Sequence, residues 1–163
     1  MTDHLADVPP FVTGKTWEEM TVGSKHRTAR RTITETDLVN FITLAGFDEP
    51  LFWDASHAAE GGYEGRLCPG ALTYALAEGL VIQSHVLHGT GLAFMGMELD
   101  VKRPVFVGDT IEVVVEITES RASSTPGRGV VHATNTVYNQ RAEVVMVFKP
   151  VRLIRGADFE TAS

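Results

Sequence analysis

Residues 69–87 read PGALTYALAEGLVIQSHVL and form the most apolar stretch of the chain. Pro69 and Gly70 mark a break in the chain, and the apolar residues that follow leave little room for a polar face. Polar residues interrupt the stretch at 78 and 83–85, and it is slightly short for crossing a bilayer. The stretch therefore predicts a helix from Ala71 to about Leu87 that is buried nearly all round.

The second half of the chain alternates apolar and polar residues, which is typical of β-strands. The alternation is clear in 95–101 and 111–117 and weaker in 129–138 and 142–154, and the strand at 95–101 is expected to be half buried. Another strand is expected near 22–33. Turns are indicated by three pairs of residues, Gly108-Asp109, Pro126-Gly127 and Asn139-Gln140. Together these elements predict an α+β domain in which a curved antiparallel sheet wraps a central helix.

Two shorter helices are predicted between the first strand and the central helix. Thr34 and Asp37 resemble a capping box, and Gly46 is suited to end the helix that begins there. Asp54 is placed to cap a short second helix that includes His57.

Length and composition indicate one folded domain over residues 1–163, with a core from about 20 to 155 and frayed ends. The net charge of −7 and the absence of a basic stripe argue against nucleic acid as a partner. The single cysteine, Cys68, forms no internal disulfide, and the first ten residues do not read as a secretion signal. We therefore expect a cytoplasmic protein that does not enter a membrane.

Four strings of sequence resemble the MaoC-like branch of the hot-dog fold. They are TETDLVNF (34–41), AGFDEPLFWD (45–54), RLCPGAL (66–72) and PVFVGDT (104–110), the last followed by Asn139-Gln140. The resemblance covers residues 20–155, and it implies a single hot-dog domain. Similar proteins are lyases that hydrate enoyl thioesters or dehydrate 3-hydroxyacyl thioesters of coenzyme A or acyl carrier protein. The resemblance further implies a homodimer or larger homo-oligomer, and no cofactor besides the coenzyme A of the substrate.

This chain departs from the family in the loop that carries catalysis. In similar proteins the loop reads approximately Gly-Asp-x-Asn-Pro-(aliphatic)-His, and its Asp and His share the proton transfers. Aligning Gly46 and Pro50 with that pattern places Phe47 at the Asp position, Glu49 at the Asn position and Phe52 at the His position. Because a phenyl ring transfers no proton, the usual mechanism cannot be carried over.

Replacement acid–base groups are available close to this loop. Asp48 or Glu49, lying beside the apolar Phe47 and Phe52, is a candidate base, although both carboxylates are equally typical of a solvated loop. His57 is the histidine nearest to the vacant position and is a weaker candidate acid, with a surface or capping role as the alternative.

The substrate carbonyl is expected to meet the start of the central helix. The backbone N–H groups of Gly70 and Ala71 have no partner within the helix and favour negative charge, although a simple tight turn explains the same residues. Arg66, Lys102 and Arg103 are candidates for a rim that binds the phosphates of coenzyme A, and solvated strand faces explain them equally well.

The remaining reactive residues indicate neither a thiol nucleophile nor a metal. Cys68 has no paired base in the sequence and is interpreted as a small buried residue. The six histidines show no spacing typical of metal ligands. Three functions stay open: an acyl-thioester hydratase or dehydratase, a hot-dog thioesterase in which Asp48 or Glu49 activates water, and a non-catalytic acyl-thioester-binding or partner subunit. The third possibility is suggested by Phe47 and Phe52, which stand at the positions of the catalytic Asp and His of similar proteins.

Overall fold

An antiparallel sheet and one long helix organise residues 12–160, the part of the chain that the computed structural model describes. A 3-10 helix comes first (Trp17–Glu19). The remaining elements in chain order are β1 (Lys25–Arg27), β2 (Arg31–Thr32), α1 (Glu35–Ala45), α2 (Pro50–Trp53), α3 (Ala55–Glu60), α4 (Gly70–Gln83), β3 (Gly91–Val101), β4 (Thr110–Ala122), β5 (Arg128–Tyr138) and β6 (Val144–Arg155).

The strands lie in the order β1-β4-β5-β6-β3, and β2 also pairs with β4. All of these pairings are antiparallel. The period-two pattern of the sequence is confirmed most clearly in β4, where alternate side chains point into the core against α4. The buried members are Ile111, Val113, Val115 and Ile117.

The strand expected near 22–33 is present but broken into β1 and β2. The break lies at Thr28, which is buried. Its backbone N–H donates to the Val113 carbonyl at 3.0 Å, and its hydroxyl accepts from the Val113 N–H at 3.0 Å. Because a side-chain oxygen here replaces a backbone carbonyl of the ladder, the strand is interrupted although the contact with β4 continues.

The predicted helix caps are confirmed. The Thr34 hydroxyl accepts from the Asp37 N–H at 3.2 Å, and the Asp37 carboxylate accepts from the Thr34 N–H at 2.9 Å. Gly46 ends α1 in the left-handed conformation, with φ 67°. Asp54 caps α3 by accepting backbone N–H groups from Ser56 and His57.

The central helix ends earlier than the sequence indicates. α4 ends at Gln83 instead of continuing to about Leu87, and residues 84–90 form turns. His85 has a left-handed backbone with φ 61°, which a right-handed helix does not accommodate. The apolar pattern continues past this point only because Val86 and Leu87 pack against the core after the helix has ended.

The expectation that α4 is buried nearly all round is wrong within a single chain. One side of the helix is buried, through Leu72, Thr73, Ala77, Leu80 and Val81. The opposite side leaves Ala71, Ala75 and Ile82 exposed, and Ile82 is 51% exposed. An apolar side of the central helix is therefore left without cover among the described residues.

The half-buried strand predicted at 95–101 also needs correction. β3 extends over Gly91–Val101, and ten of its eleven residues are exposed. Within residues 12–160 it pairs only with β6, so its other edge has no strand beside it. The sheet edge exposes a row of large apolar side chains, Phe94, Met95, Met97, Leu99 and Val101. We call this row the β3 edge.

Candidate functional site

The start of α4 opens onto a cavity of about 290 Å³, here called the Gly70 cavity. Its wall is mostly apolar, as is usual for small-molecule sites. α2 contributes Phe52, the loop after α3 contributes Tyr63, and β3 contributes Val101. The groups in this wall that can donate a hydrogen bond come from Tyr63, Cys68, Gly70, Thr73 and Arg103.

Gly70 gives this cavity a site for a carbonyl oxygen. It is the first residue of α4, and the preceding Pro69 provides no side-chain cap. The first N–H groups of the helix have no partner within it, and Gly70 and Ala71 are both exposed. A Cβ at Gly70 would lie 3.4 Å from Val101 Cγ2, so glycine keeps the approach open. This arrangement is suited to stabilise negative charge on a bound carbonyl.

The two positions that carry acid and base in similar proteins lie in an aromatic cluster. The ring of Phe47 lies 5.9 Å from that of Phe52 and 5.3 Å from that of Phe41, with tilted geometry in both pairs. Of these three rings, Phe52 lines the Gly70 cavity. An apolar wall therefore stands where similar proteins have a proton-transferring group.

The three predicted acid–base residues lie outside the Gly70 cavity. Asp48 is exposed and lines a separate depression with Phe47. Glu49 is exposed and precedes α2, and its side chain forms no capping hydrogen bond. His57 is exposed on α3, and its backbone N–H donates to Asp54 at 3.3 Å. The structure does not bring these side chains to Gly70, and their catalytic roles stay predictions.

Of the three basic residues proposed for a phosphate rim, Arg103 is the most available to bind a phosphate. Arg66 is ion-paired with Glu35 at 2.9 Å and donates to the Trp53 carbonyl at 2.7 Å, so it connects the segment before α4 to α1 and α2. Lys102 is ion-paired with Asp100. Arg103 lines the Gly70 cavity, donates to the Val144 carbonyl, and forms no ion pair with the described residues. Binding of phosphates at this rim stays a prediction.

Cys68 is buried in the wall of the Gly70 cavity, which confirms its interpretation as a small buried residue. Burial, together with the nearby carboxylates of Asp109 and Glu35, raises the pKa of the thiol to about 12. The side chain is therefore a neutral thiol at physiological pH and a poor nucleophile. Within residues 12–160, no three His, Cys, Asp or Glu side chains lie close enough together to hold a metal ion.

A second cavity, of about 430 Å³, lies towards the other end of α4 and is here called the Glu78 cavity. Glu78 forms an ion pair there with Arg152 of β6, which is only 8% exposed. The other carboxylate oxygen of Glu78, Oε2, is buried without a hydrogen-bond partner in the described residues. The guanidinium also lies 5.9 Å from the centre of the Phe94 ring. The sequence does not indicate this ion pair, because in the sequence Glu78 is only a polar residue that interrupts an apolar stretch.

The sheet wrapped around α4 and the cavity at its N-terminus define a hot-dog domain. A Mycobacterium tuberculosis protein described as having a double hot-dog fold superposes with a TM-score of 0.79 at 20% identity, covering 91% of this chain and 47% of that one. The family model described as MaoC like domain matches residues 18–139. The chain belongs to the MaoC-like dehydratase family, as the sequence strings predict.

Named relatives agree with this assignment. The (R)-specific enoyl-CoA hydratase of Aeromonas caviae is 34% identical over 104 residues, which cover 64% of this chain and 75% of that protein. The crystal structure of a MaoC-like dehydratase from Rhodospirillum rubrum matches with a TM-score of 0.80 at 25% identity, covering 90% of this chain and all of that one. No helix among residues 12–160 is long and apolar enough to cross a membrane.

Proposed function

We propose that this chain hydrates enoyl thioesters, or dehydrates 3-hydroxyacyl thioesters, of coenzyme A or acyl carrier protein. The observation that carries the proposal is the Gly70 cavity, which combines the exposed start of a helix with an apolar wall. The Aeromonas relative is named for the hydration of an enoyl-CoA, and the Rhodospirillum relative for dehydration.

The cavity supports the electronic part of this reaction. Water adds to the β-carbon of the enoyl group, and negative charge develops on the thioester oxygen before a proton reaches the α-carbon. Gly70 lines the cavity, and its N–H and that of Ala71 would stabilise that charge, while Phe52 and the aliphatic side chains give the site an apolar wall. Arg103 at the wall is suited to an anionic part of the substrate. The proposed reaction needs no cofactor other than the coenzyme A that forms part of the substrate.

The proposal includes a homodimer formed through the β3 edge. Among residues 12–160, β3 has no strand on its outer edge, and an edge of eleven residues with exposed apolar side chains is normally paired or covered in a stable protein. A second copy pairing antiparallel with β3 satisfies both the backbone groups of the edge and its apolar surface. The uncovered side of α4, with Ile82, supports the same interface.

Hydration of crotonyl-coenzyme A by the purified protein tests the proposed activity. We expect the enoyl absorbance to fall, and we expect Gly70→Val to lower kcat/KM by at least ~100-fold because it blocks the carbonyl site. Failure of the wild-type protein to consume crotonyl-coenzyme A and longer enoyl thioesters contradicts the proposal. Release of free thiol without hydration indicates the thioesterase alternative.

A second candidate function is favoured by one observation. Among residues 12–160, no carboxylate or imidazole lines the Gly70 cavity, and Phe52 stands at the position of the family histidine. Such a wall fits a subunit that binds acyl thioesters without catalysis and accompanies an active homologue. Copurification with a second hot-dog chain supports this reading, and turnover by the pure homo-oligomer excludes it.

The predicted roles of Asp48, Glu49 and His57 are tested separately by Asp48→Asn, Glu49→Gln and His57→Asn. Because the three side chains are exposed and outside the cavity, we expect each substitution to change turnover no more than a few-fold. A large loss in any one variant would instead show that its side chain reaches the substrate.

A further inference from the structure

The Gly70 cavity has an accessible rim and a buried floor. At the rim, Phe52 and Tyr63 are half-buried, while Val101 and Arg103 are exposed. The floor residues are all buried, and only one hydroxyl and one thiol interrupt their apolar surface. They are Leu67, Cys68, Thr73, Val105, Val145 and Met146. The floor therefore favours an apolar acyl chain, and the rim favours the polar carrier to which the chain is attached.

Gly70 lies at the rim and determines where a bound acyl chain begins. Gly70 is exposed, and Val101, the nearest side chain to a Cβ at this position, is exposed as well. A thioester oxygen bound to the Gly70 N–H is therefore held near the mouth of the cavity. The charge of Arg103 favours the polar carrier on the outer side, since a cation is a poor neighbour for an apolar chain. The acyl chain then points inward to the floor.

Met146 separates the floor from the hydrophobic core. It is 1% exposed, and its cross-strand neighbours are Val101 of β3 and Val137 of β5. The next core-facing residue of β6 is Phe148, and both Phe148 and Val137 are fully buried. Methionine is an adaptable side chain, but close packing on these sides leaves Met146 little freedom to move aside. An acyl chain that reaches Met146 is therefore stopped there.

The interior beyond Met146 does not extend the Gly70 cavity. A small cavity of about 30 Å³ lies in the core and is lined by Val81 of α4 and by Val115 and Ala133 of the sheet, among others. It shares no lining residue with the Gly70 cavity. In the described part of the chain, the two cavities therefore do not form one tunnel, and a chain that enters at Gly70 has a single closed chamber.

The volume of the Gly70 cavity limits the length of the acyl chain. About 290 Å³ is at the lower end of the range for small-molecule sites. A water molecule, with its one non-hydrogen atom, takes about 30 Å³ in the liquid, so the cavity holds about ten such atoms. The thioester group and the two carbons next to its sulfur take about half of that space, which leaves about five carbons beyond the carbonyl.

We propose that this chain is specific for short acyl chains of about four to six carbons, and that Met146 sets the upper limit. The proposal rests on the thioester function proposed above and adds the class of substrate to it. A longer chain must leave its end in water or displace Met146 within a packed core. Both alternatives are unfavourable, because burial is lost in the first and the core is overpacked in the second.

Saturated acyl-coenzyme A esters test the limit without turnover, because they have no double bond to hydrate. Isothermal titration calorimetry is expected to show tighter binding from butyryl to hexanoyl, by up to about fourfold per methylene. From hexanoyl to decanoyl we expect the affinity to fall at least ~10-fold, since the added carbons exceed the chamber. An affinity that keeps rising through decanoyl would overturn the limit and leave the proposed function intact. If no ester binds, the proposed function itself is contradicted.

Met146→Ala tests the residue that sets the limit. The substitution deepens the floor, so we expect the ratio of octanoyl to butyryl affinity to rise at least ~10-fold. Met20→Ala is the matched control, because Met20 is also a buried core methionine, 4% exposed, and does not line the Gly70 cavity. Its ratio is expected to stay at the wild-type value. An unchanged ratio in Met146→Ala, or an equal rise in Met20→Ala, would overturn the role of Met146.

Val105→Ala tests the same floor with a smaller loss of core packing, and it replaces Met146→Ala if that protein does not fold. Val105 is 3% exposed in the floor, and Val113, fully buried in β4 and outside the cavity, is its control. We expect Val105→Ala to raise the octanoyl-to-butyryl ratio at least ~3-fold, and Val113→Ala to leave it unchanged. Equal ratios in the two variants would overturn a limit set by the floor.

Discussion

Phe47 and Phe52 illustrate how single residues change what a family member can do. Their rings pack against each other at 5.9 Å and form an apolar wall where related proteins have an acid and a base. The sequence predicts this loss directly, because both residues lie in a short loop that can be aligned on Gly46 and Pro50. It does not predict the ion pair of Glu78 with Arg152. Glu78 and Arg152 are 74 residues apart, and only the folded sheet brings them together.

The reactivity of Cys68 follows from its burial. With the pKa of the thiol raised to about 12 by burial and nearby carboxylates, almost no thiolate is present near pH 8. We expect a thiol reagent to react with the native protein at pH 8 at least ~100-fold more slowly than with the urea-unfolded chain. Rapid labelling of the native protein, with its activity retained, would show that the thiol is accessible and ionised.

At the scale of the elements, local signals predict where helices begin and end, while long-range packing decides what covers them. The caps of α1 and α3 are correct, since capping depends on neighbours within a few residues. α4 ends early because His85 adopts a backbone conformation that periodicity does not reveal. The sequence does not predict the exposure of β3. An apolar pattern shows that a surface must be buried, but it does not show which segment or which second chain buries it.

The cap of α1 gives a stability prediction that depends on pH. Burial raises the pKa of Asp37, but hydrogen bonds from the Thr34 N–H and hydroxyl and the charge of Arg31 outweigh it, so the pKa is lowered. A lowered pKa in the folded state stabilises the fold above the ordinary pKa of the carboxyl group, and this stabilisation is lost as the pH falls through the lowered value.

We therefore expect Asp37→Asn to reduce the free energy of unfolding by about 1 kcal/mol at neutral pH. The difference from wild type is expected to shrink between about pH 5 and pH 2. Urea unfolding at several pH values measures it, with the exposed Glu60→Gln as the control. An equal deficit at both ends of this range would show that the carboxylate charge does not stabilise the cap.

At the scale of the whole molecule, the uncovered α4 face and the β3 edge belong to one surface. Sequence analysis places the start of α4 within one residue of its observed position, because a helix start after Pro-Gly is a local feature, and an oxyanion site at that start stays a prediction. The proposed interface is a property of two chains and has no local signal beyond unexplained apolar residues.

A charge placed on the β3 edge tests the interface. Met95 is 58% exposed in the single chain, and Met95→Lys puts an ammonium group into the proposed interface. We expect sedimentation to show monomers and turnover to fall together with dimer content. Val22→Lys, at a position that is 57% exposed and outside β3, is the matched control and is expected to remain dimeric and active. A Met95→Lys protein that remains a dimer would contradict an interface at the β3 edge.

The most direct test of the account is a crystal structure of the protein with crotonyl-coenzyme A. The account predicts the thioester oxygen within hydrogen-bond distance of the Gly70 N–H and the acyl chain against Phe52. A thioester bound away from Gly70 would contradict the proposed function.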